Sequence, residues 1–499
     1  MLGTFFLLCI GSCLLLLVVL RPRRPRNFPP GPPPVPIFGN VLQLSMKNPM
    51  AGLDKLSGEY GEVYSLFLGW RPAVVLHGLQ AVREALVTKS VDFAGRPQGM
   101  MVNHVTEDKG LIMGNYGAVW KEHRRFALTT MKNFVLGKRS MEERILEEAD
   151  HVCTRLGENA GKSLDPVTLV HSAASNIICS VLFGHRYDYQ DPVLSFVINS
   201  FKENAQIANG PWAAVYDSFP LLRRLPLPFQ RVFDNYRALK KHTAELVEQH
   251  KRTRAPGEPR DVVDCYLDEM DKRGPEGCVL EEGRLVMLLL DLHFAGTDTS
   301  SNSILTALLY LATHTHIQDS IPHSPAQCQT EIDSVLGGKE RVSFEDRHRM
   351  PYVMATIHET QRLANIAPLG VFHATIRPTK LMGYDIPEGT LVITNLTSVL
   401  FESSQWERPN DFNPAHFLND DGQFVKPEAF LVFSAGPRVC LGELLARMEL
   451  FLILVTLLQR FHFLWPEDAG NPDFSPVFGG IQSPKPYRVS VRLRGNQGA

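Results

Sequence analysis

The chain has 499 residues, 44% of them hydrophobic and 21% charged, with a formal net charge of -2. These are the proportions of an ordinary globular protein, and the near-neutral balance excludes nucleic acid as the main partner, since proteins that bind it are generally basic. The cysteines at 9, 13, 153, 179, 265, 278, 328 and 440 include no Cys-x-x-Cys pair and no zinc-like spacing, which fits a reducing compartment.

Met1 to Leu20 holds no ionisable side chain and is rich in Leu, Val and Phe, long enough to cross a bilayer as a helix. Arg21, Arg23, Arg24 and Arg26 follow at once, and positive flanks stay on the cytoplasmic side. A cleaved signal peptide is the rival reading, but no basic region precedes the apolar run and no small-residue cleavage site follows it. Residues 21–36 read as a basic, proline-rich hinge. Its run from Pro29 to Pro36 cannot be helical and predicts a stiff, extended spacer.

From residue 37 to 499 no repeat, low-complexity tract or second long linker appears, so this part reads as one large domain. Strand-like runs at Glu62–Leu68 and Ala73–Leu76 flank Gly69-Trp70-Arg71-Pro72, a hairpin connection. Helix-period patterning dominates the remainder and is clearest at 141–156, 229–251, 284–313, 352–363 and 443–460. Strand patterning returns at 390–395 and 487–493. The expected class is mainly α with small β-sheets.

Within the long apolar helix lies Ala295-Gly296-Thr297-Asp298-Thr299. An acid and two hydroxyls inside a buried helix are costly unless bonded, so they imply a function, or else hydroxyls bonded back to preceding carbonyls. Glu359 and Arg362 share a helical face at a spacing of three; exposed pairs of this kind contribute little. Between Gln318 and Thr330 the prolines at 322 and 325 predict a loop. A surface insertion, an alternative transcript and a faulty sequence all fit it. Near the C-terminus, Phe433-Ser434-Ala435-Gly436-Pro437-Arg438-Val439-Cys440-Leu441-Gly442 sets one cysteine in a glycine-flanked loop before a long apolar helix. A cation and a helix N-terminus each lower a thiol's pKa, and Arg438 and the helix near Leu441 are the expected sources. The glycines let the backbone turn and approach a flat ligand. The alternative is a buried, inert cysteine.

The pattern Phe-x-x-Gly-x-Arg-x-Cys-x-Gly, with Phe433, Gly436, Arg438, Cys440 and Gly442, resembles the haem-binding signature of the cytochrome P-450 superfamily. The resemblance runs nearly the full chain and is nearest to the vertebrate microsomal family 2, D-like or J-like. It implies the P-450 fold behind an N-terminal transmembrane helix, haem b as cofactor, and Cys440 as the proximal thiolate on iron, a ligand that favours O–O cleavage. It makes Asp298 and Thr299 the residues that help deliver protons to dioxygen, with Ala295 and Gly296 leaving room. Arg96, Trp120, Arg124, His373 and Arg438 become partners of the haem propionates, with Phe433 and Gly442 beside the ring. Glu359, Arg362 and His416 become a buried structural triad.

The implied enzyme is a monooxygenase of the endoplasmic reticulum membrane, its catalytic domain cytoplasmic. It would act on fatty acids, steroids or xenobiotics. NADPH would supply electrons through a flavoprotein reductase steered by Lys121, Arg125, Lys132, Lys138 and Arg139, with cytochrome b5 as a further partner. Pro437 stands where the nearest relatives often carry a basic residue. Two rivals are a haem-thiolate peroxide isomerase, against which the retained Asp298 and Thr299 argue, and a catalytically silent haem-binding membrane protein. His293 reads either as a substrate contact or as a satisfied core histidine, and Asn395-Leu396-Thr397 resembles a glycosylation acceptor that cytoplasmic topology leaves unused.

Overall fold

A computed structural model describes residues 22–44, 49–136, 139–274, 279–318 and 328–495. The expected anchor at 1–20 and Lys138 lie outside the described residues. Among the described residues no helix is long and apolar enough to cross a membrane.

The early alternation of apolar side chains folds as expected into an antiparallel hairpin, β1 (Val63–Leu68) and β2 (Arg71–His77), paired from Val63↔Leu76 to Leu68↔Arg71. Only Gly69 and Trp70 turn the chain, so Arg71 and Pro72 already belong to the strand. After the short β3 (Ser163–Leu164) come β4 (His373–Ala374), the hairpin β5 (Thr379–Leu381) and β6 (Tyr384–Ile386), then β7 (Leu391–Asn395). The chain closes with β8 (Phe461–Leu464), the hairpin β9 (Val477–Gly479) and β10 (Ile481–Ser483), and β11 (Val489–Leu493). The largest sheet has the order β1-β2-β7-β4, with β2 and β7 parallel, and β3-β11-β8 forms another. Asn395 at the end of β7 is fully buried and accepts from the Ser398 amide at 3.2 Å. That side chain caps a helical turn and is closed to glycosylation.

The helices that position the site are α1 (Pro49–Tyr60), α2 (Ala118–Leu136), α3 (Arg139–Gly157), α4 (Val167–Phe183), α5 (Pro192–Ala208), α6 (Gln230–Thr253), α7 (Glu282–Thr313), α8 (Cys328–Leu336), α9 (Pro351–Ala364) and α10 (Glu443–Arg460). α7 is apolar nearly all round, as a helix through the centre of a core must be, and its residues Leu285 to Leu290 and Ile304 to Ala312 join the main hydrophobic cluster. α4 packs closely along it: a Cβ on Gly296 would stand 2.9 Å from Ile178 of α4. Glycine at 296 therefore serves helix–helix contact, which corrects the expectation that it leaves room for dioxygen.

The proline-rich segment is extended, but it does not stand off as a spacer. The Ser65 amide donates to the Pro30 carbonyl at 2.7 Å and the Ser65 hydroxyl to the Pro29 carbonyl at 2.7 Å, while Phe28, Pro29, Pro32 and Pro34 are buried. Residues 28–36 thus line the outer edge of β1, where missing proline N–H groups cost nothing. The expected loop at 318–330 is helical at both ends. Gln318 closes the short helix Thr315–Gln318 and Cys328 opens α8; the two prolines lie outside the described residues.

Candidate active site

Phe433 to Gly442 folds back on itself. The Cys440 amide donates to the Phe433 carbonyl at 3.0 Å, and Ser434 and Gly436 take left-handed φ values of 61° and 73°. A Cβ at Gly436 would stand 2.0 Å from the Leu86 carbonyl oxygen, so protein packing, not a ligand, demands that glycine. At Gly442 a Cβ would meet no heavy atom within 4 Å. Cys440 is exposed, yet burial is the largest influence on its thiol and pushes it up. The residue thus keeps exposed surface although protein atoms crowd its thiol. The N–H groups of Gly442 and Glu443 and the Arg124 guanidinium favour the thiolate, and the Glu443 carboxylate opposes it. Arg438 is not the cation beside the sulfur. Arg124 takes that place, donating to the Val439 carbonyl. Protein groups alone leave the thiol protonated; a coordinated metal ion would ionise it outright.

Around this loop the structure gathers the expected cations. α2 presents Trp120 and Arg124 one turn apart; the Arg438 guanidinium lies 3.8 Å from the Trp120 ring centroid and that of Arg124 5.4 Å. Arg438 donates to the carbonyls of Ala94 and Gly114, both at 2.8 Å, and Arg96 to those of Ile112, Val371 and Phe372 at 2.8, 3.0 and 2.9 Å. His373 Nδ1 donates to the Phe93 carbonyl at 2.8 Å. Trp120 differs from expectation: its indole N–H is spent on the Leu111 carbonyl at 3.0 Å, so it serves as a stacking surface. Among the described residues no carboxylate forms an ion pair with Arg96, Arg124 or Arg438. Desolvation first, and then the neighbouring guanidiniums, push Arg96 down to about 9 and Arg438 to about 8. Desolvation and Arg96 also hold His373 well below the usual imidazole range. Buried charge without a counter-ion costs several kcal/mol per group, and the cluster has none among the described residues.

Below the sheet, Glu359 and Arg362 are fully buried and joined by two bonds of 2.7 Å. Arg362 donates further to the carbonyls of Leu400, Pro409 and Asp411, while Glu359 accepts from the Asn413 amide and lies 3.1 Å from His416 Nδ1. Burial pushes the Glu359 carboxyl up, but the hydrogen bonds from Arg362 and His416 outweigh it and hold the group below its usual value. On α7, the Thr299 hydroxyl donates to the Ala295 carbonyl at 2.6 Å, and its lone pairs stay open to accept. The back-bonded hydroxyl expected as the alternative is thus present, beside an acid that such bonding does not explain. Asp298 stands 3.7 Å from His171 of α4. His293 is buried between Ser175 Oγ at 2.9 Å and Cys179 Sγ at 3.3 Å, and lines a hollow of about 10 Å³ with Leu239 and Thr243. Burial pushes it down to about 3, so it is a neutral core histidine.

Residues 29–491 match the family model described as Cytochrome P450 (here written cytochrome P-450). The chain belongs to the cytochrome P-450 family. It is 41% identical to cytochrome P-450 2D15 of Canis lupus familiaris over 488 residues, covering 96% of each chain. It is also 41% identical to cytochrome P-450 2F3 of Capra hircus over 499 residues, covering 99% of each, and to cytochrome P-450 2F2 of Rattus norvegicus over 478, covering 94% of each. The D-like affinity read from the motifs is thereby matched, with an F-like one beside it that the motifs did not suggest. The chain is a family 2 haem-thiolate monooxygenase, an enzyme of the EC 1.14.14 type.

For a cytochrome P-450 the donor set fits haem. Cys440 would hold the iron, the open face at Gly442 would admit the ring, and Arg96, Arg124, Arg438 and His373 would meet the propionates. Bound haem supplies the dioxygen activation and oxidative chemistry. Phe433 is held in place by Arg447, 5.4 Å from its ring centroid, which also reaches His358 Nε2 at 2.8 Å and Glu443 at 2.7 Å.

Two residues of this P-450 site escaped the sequence. Asp291 accepts from the Ile112 amide at 3.0 Å, and Gly110 lies so close that a Cβ there would stand 2.4 Å from its oxygen. It thereby fixes the loop whose carbonyls receive Arg96, Trp120 and Arg438. Burial pushes its carboxyl up to about 6, and an acid in so apolar a helix was the available signal. His171 had no motif to mark it. Of the basic cluster, Lys121, Arg125 and Lys132 are exposed, and the Arg139 side chain, like Lys138, is outside the described residues.

Proposed function

We propose that this monooxygenase inserts one atom of dioxygen into apolar organic substrates (fatty acids, steroids or xenobiotics), drawing electrons from NADPH through a flavoprotein reductase, with cytochrome b5 as a further donor. The observation that carries the reading is the uncompensated cluster of Arg96, Arg124 and Arg438 beside the accessible sulfur of Cys440. In this reading Asp298 supplies a proton from a carboxylate oxygen, and Thr299 Oγ1, its own hydrogen engaged by Ala295, accepts a hydrogen bond that orients the group being protonated. Glu359, Arg362 and His416 keep the Cys440 side of the core rigid. Lys121, Arg125 and Lys132 form the face that an acidic reductase would meet.

Residence in the endoplasmic reticulum membrane, through a single N-terminal span with the catalytic domain in the cytoplasm, is supported by the uncharged run at 1–20 and its arginine flank. An apolar surface adds to it. Phe38 packs on Phe219 with ring centroids 5.9 Å apart, the β1–β2 turn at Gly69 adjoins Ser218, and Val35, Phe38, Trp70, Leu221 and Leu225 are exposed there. The peroxide isomerase reading has less support, because that reaction leaves Asp298 and Thr299 without work.

The deciding experiment is the carbon monoxide difference spectrum of the dithionite-reduced protein against Cys440→Ser. A thiolate-type Soret band in the native chain alone is the expected result. Its absence from the native chain would bring the silent reading forward, and turnover without any reductase would bring forward the isomerase.

A further inference from the structure

Asp298 has a neighbour of its own. His171, in the second turn of α4, places Nε2 3.7 Å from Asp298 Oδ1, with the two side chains 14% and 16% exposed. Its other nitrogen, Nδ1, lies 2.9 Å from the Val167 carbonyl oxygen one turn earlier. A carbonyl can only accept, so Nδ1 carries the hydrogen and the tautomer is set. Nε2 is then the atom at which the ring gains or loses a proton, and it is turned toward Asp298. A separation of 3.7 Å is longer than a direct hydrogen bond, but one bridging water or a small rotation of the carboxylate spans it. Partial exposure of both groups gives the ring access to water, while Thr299 follows Asp298 directly on α7. Two helices in close contact thus hold an imidazole, a carboxyl and a hydroxyl in sequence.

We propose that His171 is a positioning and relay residue that reprotonates Asp298. Nε2 takes a proton from hydronium or a buffer acid in the solvent, releasing water or the buffer base, and passes it to Asp298 Oδ1, breaking the N–H bond, forming the O–H bond and leaving a neutral imidazole to be reloaded. The inference rests on the reading of Asp298 and Thr299 as the proton-delivering pair.

The test compares the holoenzyme with His171→Gln, Asp298→Asn and the double variant, using a fluorogenic alkoxycoumarin as the probe substrate. Each is assayed with NADPH plus reductase and, separately, with hydrogen peroxide. Peroxide is dioxygen already reduced by two electrons and carrying two protons, so it bypasses the relay. The ratio of NADPH-supported to peroxide-supported turnover is expected to fall at least about tenfold in His171→Gln, the lower range for loss of a proton-transfer group. It should fall as far in Asp298→Asn and no further in the double variant. A fall for Asp298→Asn alone overturns the role of His171 and leaves the reading of Asp298 standing. No fall in either variant overturns both. An equal loss in both assays marks a merely structural histidine and also overturns the proposal.

A second readout needs no turnover. In thermal unfolding, the shifts from the two single substitutions should not add in the double variant. Additive shifts would show that the two side chains do not interact.

Discussion

Arg362 and Arg438 are both buried arginines, and they stand in opposite situations. Arg362, fully buried, shares two bonds with Glu359 and gives its remaining donors to the carbonyls of Leu400, Pro409 and Asp411. Arg438 also gives its donors to carbonyls, but Arg96 and Arg124 oppose its charge and no carboxylate among the described residues pairs with it. The first arrangement is neutral and complete within the protein. The second is neither, and in the proposed reading its missing counter-charge comes from an anionic group that binds there. A buried arginine is thus a keystone or a receptor according to whether its carboxylate belongs to the chain.

The sharpest way to break that comparison is to open the closed site. Glu359→Gln leaves Arg362 buried and uncompensated and is expected to cost about 3–5 kcal/mol, read as a lowered denaturant midpoint and loss of the thiolate-type carbon monoxide spectrum. The converse change, Arg438→Leu, should cost the haem-free chain less than about 2 kcal/mol, because repulsion from Arg96 is relieved as two carbonyls lose their donor. The same variant should release haem to an acceptor protein about tenfold faster, equivalent to roughly 1.4 kcal/mol. Should the haem-free chain instead collapse, the cluster would be a structural element and the contrast would disappear.

A third arrangement sharpens the contrast. Glu449 on α10 is buried, and neither of its oxygens has a hydrogen-bond partner among the described residues. Burial pushes its carboxyl from 4.5 up to about 8. A group that holds its proton more tightly when folded contributes fully below its unfolded value and loses that contribution as the pH rises through the folded one. Glu449→Gln should therefore match the native chain near pH 4.5, surpass it increasingly up to about pH 8, and hold a constant advantage above. Melting curves across that range check this, and a pH-independent difference would mean that folding leaves the pKa of the carboxyl unshifted. The smallest effect belongs to the exposed cations. Lys121→Glu with Arg125→Glu should leave folding stability within about 0.5 kcal/mol, yet raise the reductase concentration needed for half-maximal turnover, an effect that fades with added salt.

Much of this was legible in the chain because it rests on periodicity and short-range spacing. The helix expected at 141–156 spans Arg139–Gly157, that at 284–313 spans Glu282–Thr313, and the ion pair of Glu359 and Arg362 follows from their shared face. What escaped depends on direction. Spacing within the cysteine loop could not show that Arg438 turns toward Ala94 and Gly114 while Arg124, more than three hundred residues earlier, comes to the sulfur. Nor could it show that the space beside Gly296 belongs to Ile178, or that Trp120 donates to Leu111. The proline run was correctly extended but wrongly free, because proline chemistry dictates the backbone and not the strand it lies against.

Two glutamines give the interval 319–327 a consequence beyond the chemistry. Gln318 Nε2 donates to the carbonyls of Leu311 and Phe463, and Gln329 Nε2 to those of Leu458 and Phe461. Residues 318 and 329 are thus each clamped by buried bonds to the same strand, β8. These bonds hold the ends of both helices to β8 whatever the number of residues between them in the sequence, so an epitope or fluorescent reporter spliced between Gln318 and Gln329 is expected to leave haem binding at Cys440 unchanged.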